Sequence, residues 1–177
     1  MSIKKIKLDF EIDELTNCIV NSLSGDTVNT EINIIDYVDL NILRYGTWKF
    51  DWIKENNNRE TTVYKLTTIG NPRIIQGLIS LSDRKDHIEM KLIENNSFNQ
   101  GKNRLYYGVA GNMVAFACKL SFELGFEGYL TFTTKTKLIE HYQKSLNAKR
   151  YRGNDMYIDS INSLNLVKKY YPEYENK

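Results

Sequence analysis

The stretch Arg104-Leu-Tyr-Tyr-Gly108-Val-Ala-Gly111-Asn112 decides the fold of the chain, because it leads from a polar loop into an amphipathic segment. Apolar side chains recur at helical intervals over residues 112–124, which predicts a helix there. A helix N-terminus carries unpaired backbone N–H groups and a partial positive charge. Gly108, Ala110 and Gly111 leave this end open to an anion, and its first turn has no acidic residue. The stretch therefore predicts a helix N-terminus that binds phosphate.

The same glycines also fit a tight loop that binds no ligand, and this alternative stays open. The common nucleotide-binding loops do not fit. The chain has no GxxxxGK sequence followed by Ser or Thr, and its glycines lack the third member of GxGxxG. Neither a P-loop nor a dinucleotide-binding Rossmann site is therefore predicted.

Upstream of this stretch, the sequence predicts a series of strands. Residues 61–69, 74–81 and 88–93 are rich in β-branched or alternating apolar residues and are separated by turn sequences. They predict three consecutive antiparallel strands. Residues 18–22 and 27–35 flank a glycine-containing turn and predict a hairpin.

The remaining elements set the fold class. Residues 6–12 alternate apolar and polar side chains, as in a half-buried strand, and residues 36–52 have the spacing of one or two short helices. Downstream, strands are predicted at 129–133 and 156–158, and helices at 138–146 and 161–171. This alternation indicates an α/β (α+β) protein.

The composition is that of one globular domain. The chain has 177 residues, of which 41% are hydrophobic and 26% charged, which excludes disordered and fibrous classes. The 24 Lys and Arg residues against 22 Asp and Glu leave a net charge of +2, which creates no strong field for nucleic acid or membrane. No stretch approaches the roughly 18 to 20 apolar residues of a membrane span, and charged residues follow Met1 instead of a signal peptide. We therefore expect a cytoplasmic protein.

Cysteine and histidine are too dispersed to suggest a disulfide framework or a metal site. Cys18 and Cys118 form no CxxC pair, and Cys118 lies in an apolar helical run, where it is predicted to be a buried small hydrophobe. His87 and His141 form no HExxH or HxH pattern. The sequence predicts no metal ligands.

Three segments together resemble a known family. They are Leu105-Tyr-Tyr-Gly108-Val-Ala110, Gly128-Tyr-Leu-Thr-Phe132 and Leu138-Ile-Glu-His-Tyr142-Gln-Lys-Ser-Leu146. In this order they resemble the GNAT superfamily of acyl-CoA-dependent N-acetyltransferases, over residues 61–158. Gly108 and Ala110 match the family's motif, whereas Leu105 stands where that motif has Gln or Arg. The resemblance implies a mixed, mostly antiparallel central sheet with helices on both faces, in a single domain 1–177 whose N-terminal residues, 1–58, form a variable region.

The resemblance also implies acetyl-CoA as co-substrate. A strand that parts from its neighbour would pair with the pantetheine arm, here at Leu92 and Ile93. Arg104 would supply a cation to the phosphates, and Lys144 would meet the ribose 3′-phosphate. The residues placed at the helix N-terminus are Tyr107, Gly108, Val109, Ala110, Gly111 and Asn112.

Three residues are the candidates for catalysis. Tyr142 stands where the family has a tyrosine that protonates the leaving thiolate, and a phenol with a pKa of about 10 suits this role. Glu94 and Glu89 are the candidates for taking the proton of the amine, with Glu94 preferred because it lies nearer the strand end. Their odd separation places them on opposite faces of a regular strand. The alternatives are an interior aromatic for Tyr142 and a solvated charge for each glutamate.

The implied reaction moves an acetyl group directly from acetyl-CoA to an amine of a small molecule or a protein. No nucleic acid and no membrane are expected as partners, and a homodimer stays open. One alternative is a GNAT-fold protein that binds coenzyme A but transfers poorly, acting as a sensor or partner-binding module. Another is a nucleic-acid-associated protein that uses the basic residues 144–152, which the balanced overall charge argues against.

Overall fold

A seven-stranded sheet organises the fold in the computed structural model, which describes residues 6–16 and 18–174. The strands are β1 (Ile19–Asn21), β2 (Thr27–Val28), β3 (Thr30–Ile34), β4 (Thr62–Thr68), β5 (Gly77–Asp83), β6 (Ile88–Asn95), β7 (Tyr106–Tyr107), β8 (Leu130–Thr133), β9 (Lys149–Arg152) and β10 (Asp155–Ile158). The α-helices are α1 (Tyr37–Arg44), α2 (Trp52–Asn56), α3 (Val109–Glu123), α4 (Ile139–Leu146) and α5 (Ser160–Tyr170). Two 3-10 turns cover Ser97–Asn99 and Thr136–Leu138.

The strand order of the main sheet is β3-β4-β5-β6-β8-β10-β9. All neighbouring pairs are antiparallel except β6 and β8, which run parallel because α3 connects them. A small second sheet has the order β2-β1-β7. The prediction of a mixed, mostly antiparallel sheet is confirmed, as are the hairpin β1–β2 and the meander β4–β5–β6.

Helices cover both faces of the main sheet. On β5, Ile79 packs in a core cluster with α3, α4 and α5, whereas its neighbour Leu78 packs in a second cluster with Leu43 of α1 and Trp52 of α2. Successive residues of a strand point to opposite faces, so the two clusters lie on opposite sides of the sheet. Cys118 is fully buried in the first cluster, as its sequence context predicted.

A β-bulge interrupts β6 between the two candidate glutamates, Glu89 and Glu94. Leu81 of β5 pairs with Met90, but the preceding residue Ser80 pairs with Leu92, so Lys91 is an extra residue. The extra residue reverses the alternation of side chains along the rest of the strand. Glu89 and Glu94 therefore project from the same face, and the expectation that they lie on opposite faces was wrong.

The segment 6–12 is not a strand, contrary to its alternating pattern. Only Leu8 forms a β-bridge, in parallel with Thr134. Leu8 and Ile12 are nonetheless buried in the larger core cluster. The alternation of apolar and polar residues therefore arises because one side of this segment is buried. The charged residues after Met1, up to Lys5, lie outside the described residues. Among the described helices, none has both the length and the apolar character that crossing a bilayer requires.

Candidate active site

Strands β6 and β8 part in the middle of the sheet, and the space between them beyond Glu89 and Thr131 is here called the groove. Their parallel pairing joins Ile88 with Leu130 and Glu89 with Thr131, and then ends, although β6 continues to Asn95. Leu92 and Ile93 lie beyond this point on β6, and both are buried. Because only one edge of this stretch of β6 is paired, with β5, its other edge faces the groove. An elongated ligand with amide groups can pair with such an edge.

The N-terminus of α3 stands at the groove and binds a negative charge. The backbone N–H of Gly108 donates to Oδ2 of Asp13 at 3.1 Å, and Nη1 of Arg104 lies 3.0 Å from the same oxygen. No side chain of the helix caps this end, and Asp13 Oδ1 is buried without a hydrogen-bond partner among the described residues. The site thus accepts an anionic oxygen, as a phosphate site would.

Gly108 is required at this position by its backbone and by its neighbour. It caps α3 with φ of 81°, in the left-handed region that favours glycine. A Cβ built on it would also collide with Oγ1 of Thr16. The helix itself starts at Val109, three residues before the predicted start at 112.

The other residues predicted for the helix N-terminus make structural contacts. Val109 and Ala110 are fully buried, and Nδ2 of Asn112 donates to Oγ1 of Thr30 at 3.0 Å. Gly111 packs against the hydroxyl of Tyr170. Arg104 and Gly108 therefore make the charge contacts at this end of the helix.

Tyr107 contacts Arg104, the cation that binds Asp13 at the N-terminus of α3. Lys144 lies on the surface of α4. The guanidinium of Arg104 lies over the Tyr107 ring, 5.2 Å from its centroid, which helps to fix the cation in place. Lys144 is 81% exposed, and its ammonium lies 3.9 Å from the carboxylate of Glu140.

Tyr142, on α4, directs its hydroxyl at segment 6–16. The side chain is fully buried, its ring packs against Phe132 with 5.0 Å between centroids, and its hydroxyl donates to the backbone carbonyl of Phe10. Burial, aided by the charges of Asp9 and Glu11, raises the pKa of the Tyr142 phenol. The phenol is protonated at neutral pH, as an ordinary tyrosine is, and burial makes it a weaker acid.

The two candidate glutamates have different surroundings. Glu94 is 3% exposed, and its carboxylate accepts hydrogen bonds from the backbone N–H groups of Lys49 and Phe50 and from Nε1 of Trp52. These three donors connect β6 to the residues before α2 and to the first residue of that helix. Sequence reasoning gave Glu94 no such partners, because they lie more than 40 positions away along the chain.

Glu89 lies in the last pair before β6 and β8 part. Its carboxylate accepts from Nε of Arg84 at 2.6 Å and from Nζ of Lys91 at 3.3 Å. Burial acts to raise the pKa of Glu89, but the hydrogen bond from Arg84 and the charges of Lys91 and Arg84 outweigh it and lower the pKa. A cavity of about 410 Å³ opens beside it, and its other lining residues include Glu60, Thr133 and Tyr151.

Sequence reasoning missed the residues of segment 6–16 that meet this site. Asp13 binds Arg104 and Gly108, Phe10 accepts from Tyr142, and the N–H of Ile12 donates to Nε2 of His141 at 2.8 Å. No local pattern marks these residues, because each contact joins positions about ninety or more apart.

Comparison with solved structures places this fold among known ones. No protein-family model matches the sequence, and no curated protein matches it. The AtaTR structure bound with acetyl-CoA matches at 15% identity and a TM-score of 0.57, covering 78% of this chain and 98% of that one. The AtaT–AtaR complex bound to DNA matches at 16% identity and a TM-score of 0.56, covering 77% and 98%. The KacTA–DNA complex matches at 12% identity and a TM-score of 0.53, covering 79% and 99%.

This likeness shows that the chain has the GNAT fold. It also overturns one expectation from the sequence. Structures that share the fold include two complexes with DNA, so the expectation that nucleic acid is excluded as a partner was wrong. A net charge near zero does not exclude nucleic acid, because a complex can form through a local surface or through a second protein.

Proposed function

We propose that this chain is an acetyl-CoA-dependent N-acetyltransferase. The observation that carries the proposal is the parting of β6 and β8, together with the anion-binding N-terminus of α3, the helix that connects them. The unpaired edge of β6 and the hydroxyl of Tyr142 on α4 are consistent with it. The match to a structure bound with acetyl-CoA supports the same conclusion.

The proposed cofactor contacts follow from this geometry. Gly108 and Arg104 bind the phosphates, since they already bind the carboxylate of Asp13. The backbone edge at Leu92 and Ile93 pairs with the amides of the pantetheine arm. Lys144, mostly exposed on α4, is the proposed partner of the ribose phosphate.

When bound, acetyl-CoA supplies the acetyl group and a sulfur leaving group. The amine nitrogen of the acceptor forms a bond to the acetyl carbon as the carbon–sulfur bond breaks. Tyr142 gives its hydroxyl proton to the sulfur, since a phenol is protonated at neutral pH. Glu89 faces the adjacent cavity and is the carboxylate placed to receive the proton of the amine, directly or through water.

The acceptor would enter through the cavity beside Glu89. Its carboxylates, which belong to Glu60, Glu89 and Asp155, suit an amine, which is a cation before it loses its proton. Arg84 and Lys91 lie in the same lining, where both pair with Glu89. The cavity thus fits a small amine, or one amine-bearing residue of a larger acceptor.

The test combines a binding measurement with an activity measurement. We expect acetyl-CoA to raise the melting temperature of the protein, because it binds the folded state. Release of free thiol is then measured with a panel of amines, and we expect an amine-dependent rate. No stabilisation at millimolar acetyl-CoA would contradict the proposal.

A second function is favoured by one observation, the presence of segment 6–16 at the groove. A protein whose own chain contacts the phenol and the anion site could bind coenzyme A without efficient transfer, as a sensor or partner-binding module. Stabilisation by acetyl-CoA without thiol release from any amine would favour this second function.

A further inference from the structure

Residues 6–16, here called the strap, contact the end of β8, helix α4 and the N-terminus of α3 in turn. The N–H of Leu8 donates to the carbonyl of Thr133 at 2.7 Å, and the N–H of Lys135 donates to the carbonyl of Leu8 at 3.0 Å. The intervening N–H of Thr134 donates to Asn154, on the side of β10. Backbone groups of a strand alternate in direction, so Leu8 lies on the opposite edge of β8, which faces β6.

The later strap residues continue toward α3. The carbonyl of Phe10 accepts from Tyr142, and the N–H of Ile12 donates to His141 on the same helix. The carboxylate of Asp13 then reaches Gly108 and Arg104. The strap thus runs from the point where the strands part, past the phenol, to the helix N-terminus.

The strap has the chemistry of an internal ligand for this groove. The backbone of Leu8 pairs with the end of β8, at Thr133 and Lys135, and the strap's only buried acidic side chain, Asp13, binds Gly108 and Arg104. Leu8 and Ile12 are 2% and 3% exposed, so the segment is packed into the core cluster. Ion pairs from Asp9 to Lys135 and Lys137, at 2.5 and 3.2 Å, hold its beginning.

We propose that the strap is an autoinhibitory segment that competes with acetyl-CoA for the groove between β6 and β8. This inference rests on the proposed function, because it assigns a regulator to the same site. Asp13 occupies the position of the cofactor phosphates, and the backbone of residues 8–12 occupies the position of the pantetheine arm. A tethered competitor acts at high effective concentration, and the apparent cofactor affinity falls in proportion to the fraction of molecules with the groove open.

The experiment compares two full-length variants that each remove one negative charge from the strap. Asp13→Asn weakens the contacts with Arg104 and Gly108 while keeping the shape of the side chain. Glu14→Gln is the matched control, because Glu14 is exposed on the adjacent position. We expect Asp13→Asn to lower the acetyl-CoA Kd by about tenfold in calorimetry, the effect of losing a hydrogen bond to a charged group. Glu14→Gln should match the wild type.

Hydrogen exchange on the wild type provides a second measurement that needs no variant. The amide groups of Leu8 and Ile12 are hydrogen-bonded in the strap, so they should exchange slowly without cofactor. Saturating acetyl-CoA should speed their exchange, because the strap leaves the groove. The amides of β4 serve as an internal reference that should not change.

The outcomes separate this inference from the proposed function. Equal Kd values for all three proteins, with the strap amides still protected at saturation, would overturn the autoinhibition and leave the transferase standing. If no protein binds acetyl-CoA, Asp13→Asn included, the proposed function fails and the inference fails with it. Tighter binding by Asp13→Asn alone, with exposure of the strap amides, supports both.

Discussion

At the scale of single residues, the phenol of Tyr142 is the proposed proton donor. It is fully buried, and its hydroxyl donates to the backbone carbonyl of Phe10. Burial raises its pKa, so the phenol holds its proton more tightly than an ordinary tyrosine does. In the proposed reaction, the phenol gives this proton to the leaving thiolate.

Replacement of Tyr142 by phenylalanine tests this role. Tyr142→Phe keeps the ring against Phe132 and removes only the hydroxyl. We expect kcat to fall about a hundredfold, the usual contribution of a general acid. Acetyl-CoA affinity, measured separately by calorimetry, should be unchanged or slightly tighter, because the strap loses one hydrogen bond. Equal loss of kcat and of affinity would show a structural role for the ring environment.

The two glutamates permit a paired test with the same chemical change. Glu94→Gln keeps one acceptor oxygen and turns an NH₂ group toward at least one of the three donors, so we expect the free energy of unfolding to drop by about 1 to 3 kcal/mol, measured in urea. Glu89→Gln also loses charge contacts, with Arg84 and Lys91, so its stability should fall as well, but it alone should reduce kcat/KM, by about a hundredfold. Loss of turnover in Glu94→Gln at full stability would identify Glu94 as the proton acceptor.

At the scale of elements, helices α3 and α5 pack closely against each other at Gly111. A Cβ on Gly111 would collide with Oη of Tyr170 and lie 2.9 Å from Cδ2 of Leu15. The same Tyr170 hydroxyl accepts the N–H of Thr16 at 3.0 Å. Gly111 thus lets α5, α3 and the end of the strap meet at one point.

Replacing Gly111 by alanine measures that packing. Alanine gains about 1 kcal/mol of helix propensity over glycine, but overpacking costs about 1 to 3 kcal/mol. Because the added methyl group would overlap the Tyr170 hydroxyl, we expect a net loss of stability in urea unfolding. In the background Tyr170→Phe, which removes the nearest atom, the cost of Gly111→Ala should be smaller. A variant Gly111→Ala that is as stable as the wild type would contradict the close contact.

At the scale of the whole molecule, the elements were more predictable than the site. The meander β4–β5–β6 and helix α3 follow from local periodicity, so their existence could be predicted within a few residues. The bulge at Lys91 could not, because it depends on how β6 pairs with β5. Asp13 and Glu94 could not either, because their partners lie far away in sequence and only the tertiary fold brings them together.

Two surface carboxylates predict how the molecule responds to acid. The hydrogen bond from Lys135 lowers the pKa of Asp9 to about 2, and that from the Asp39 backbone, with Arg73, does the same for Asp36. A carboxylate with a lowered folded pKa contributes stability above its unfolded pKa of about 4 and loses it as the pH falls toward 2.

We therefore expect the free energy of unfolding to decline between about pH 4 and pH 2, as measured by urea titrations at each pH. In Asp36→Asn, the free energy of unfolding should fall less steeply over this pH range, since asparagine still caps α1 but cannot ionise. Asp26→Asn, at an exposed position of the β1–β2 turn, is the charge-matched control and should leave the slope unchanged. Identical slopes for the wild type and Asp36→Asn would contradict the prediction.

Strand β9 ends the main sheet, and all four of its residues are exposed. The outermost strand of a sheet offers free backbone groups to any other polypeptide that approaches, which is a route to aggregation. Lys149, Arg150 and Arg152 oppose this, because two copies that met along β9 would bring like charges together. The positive charges of β9 therefore oppose edge-to-edge pairing of two molecules at high concentration. Replacing these three residues by neutral ones would remove that opposition.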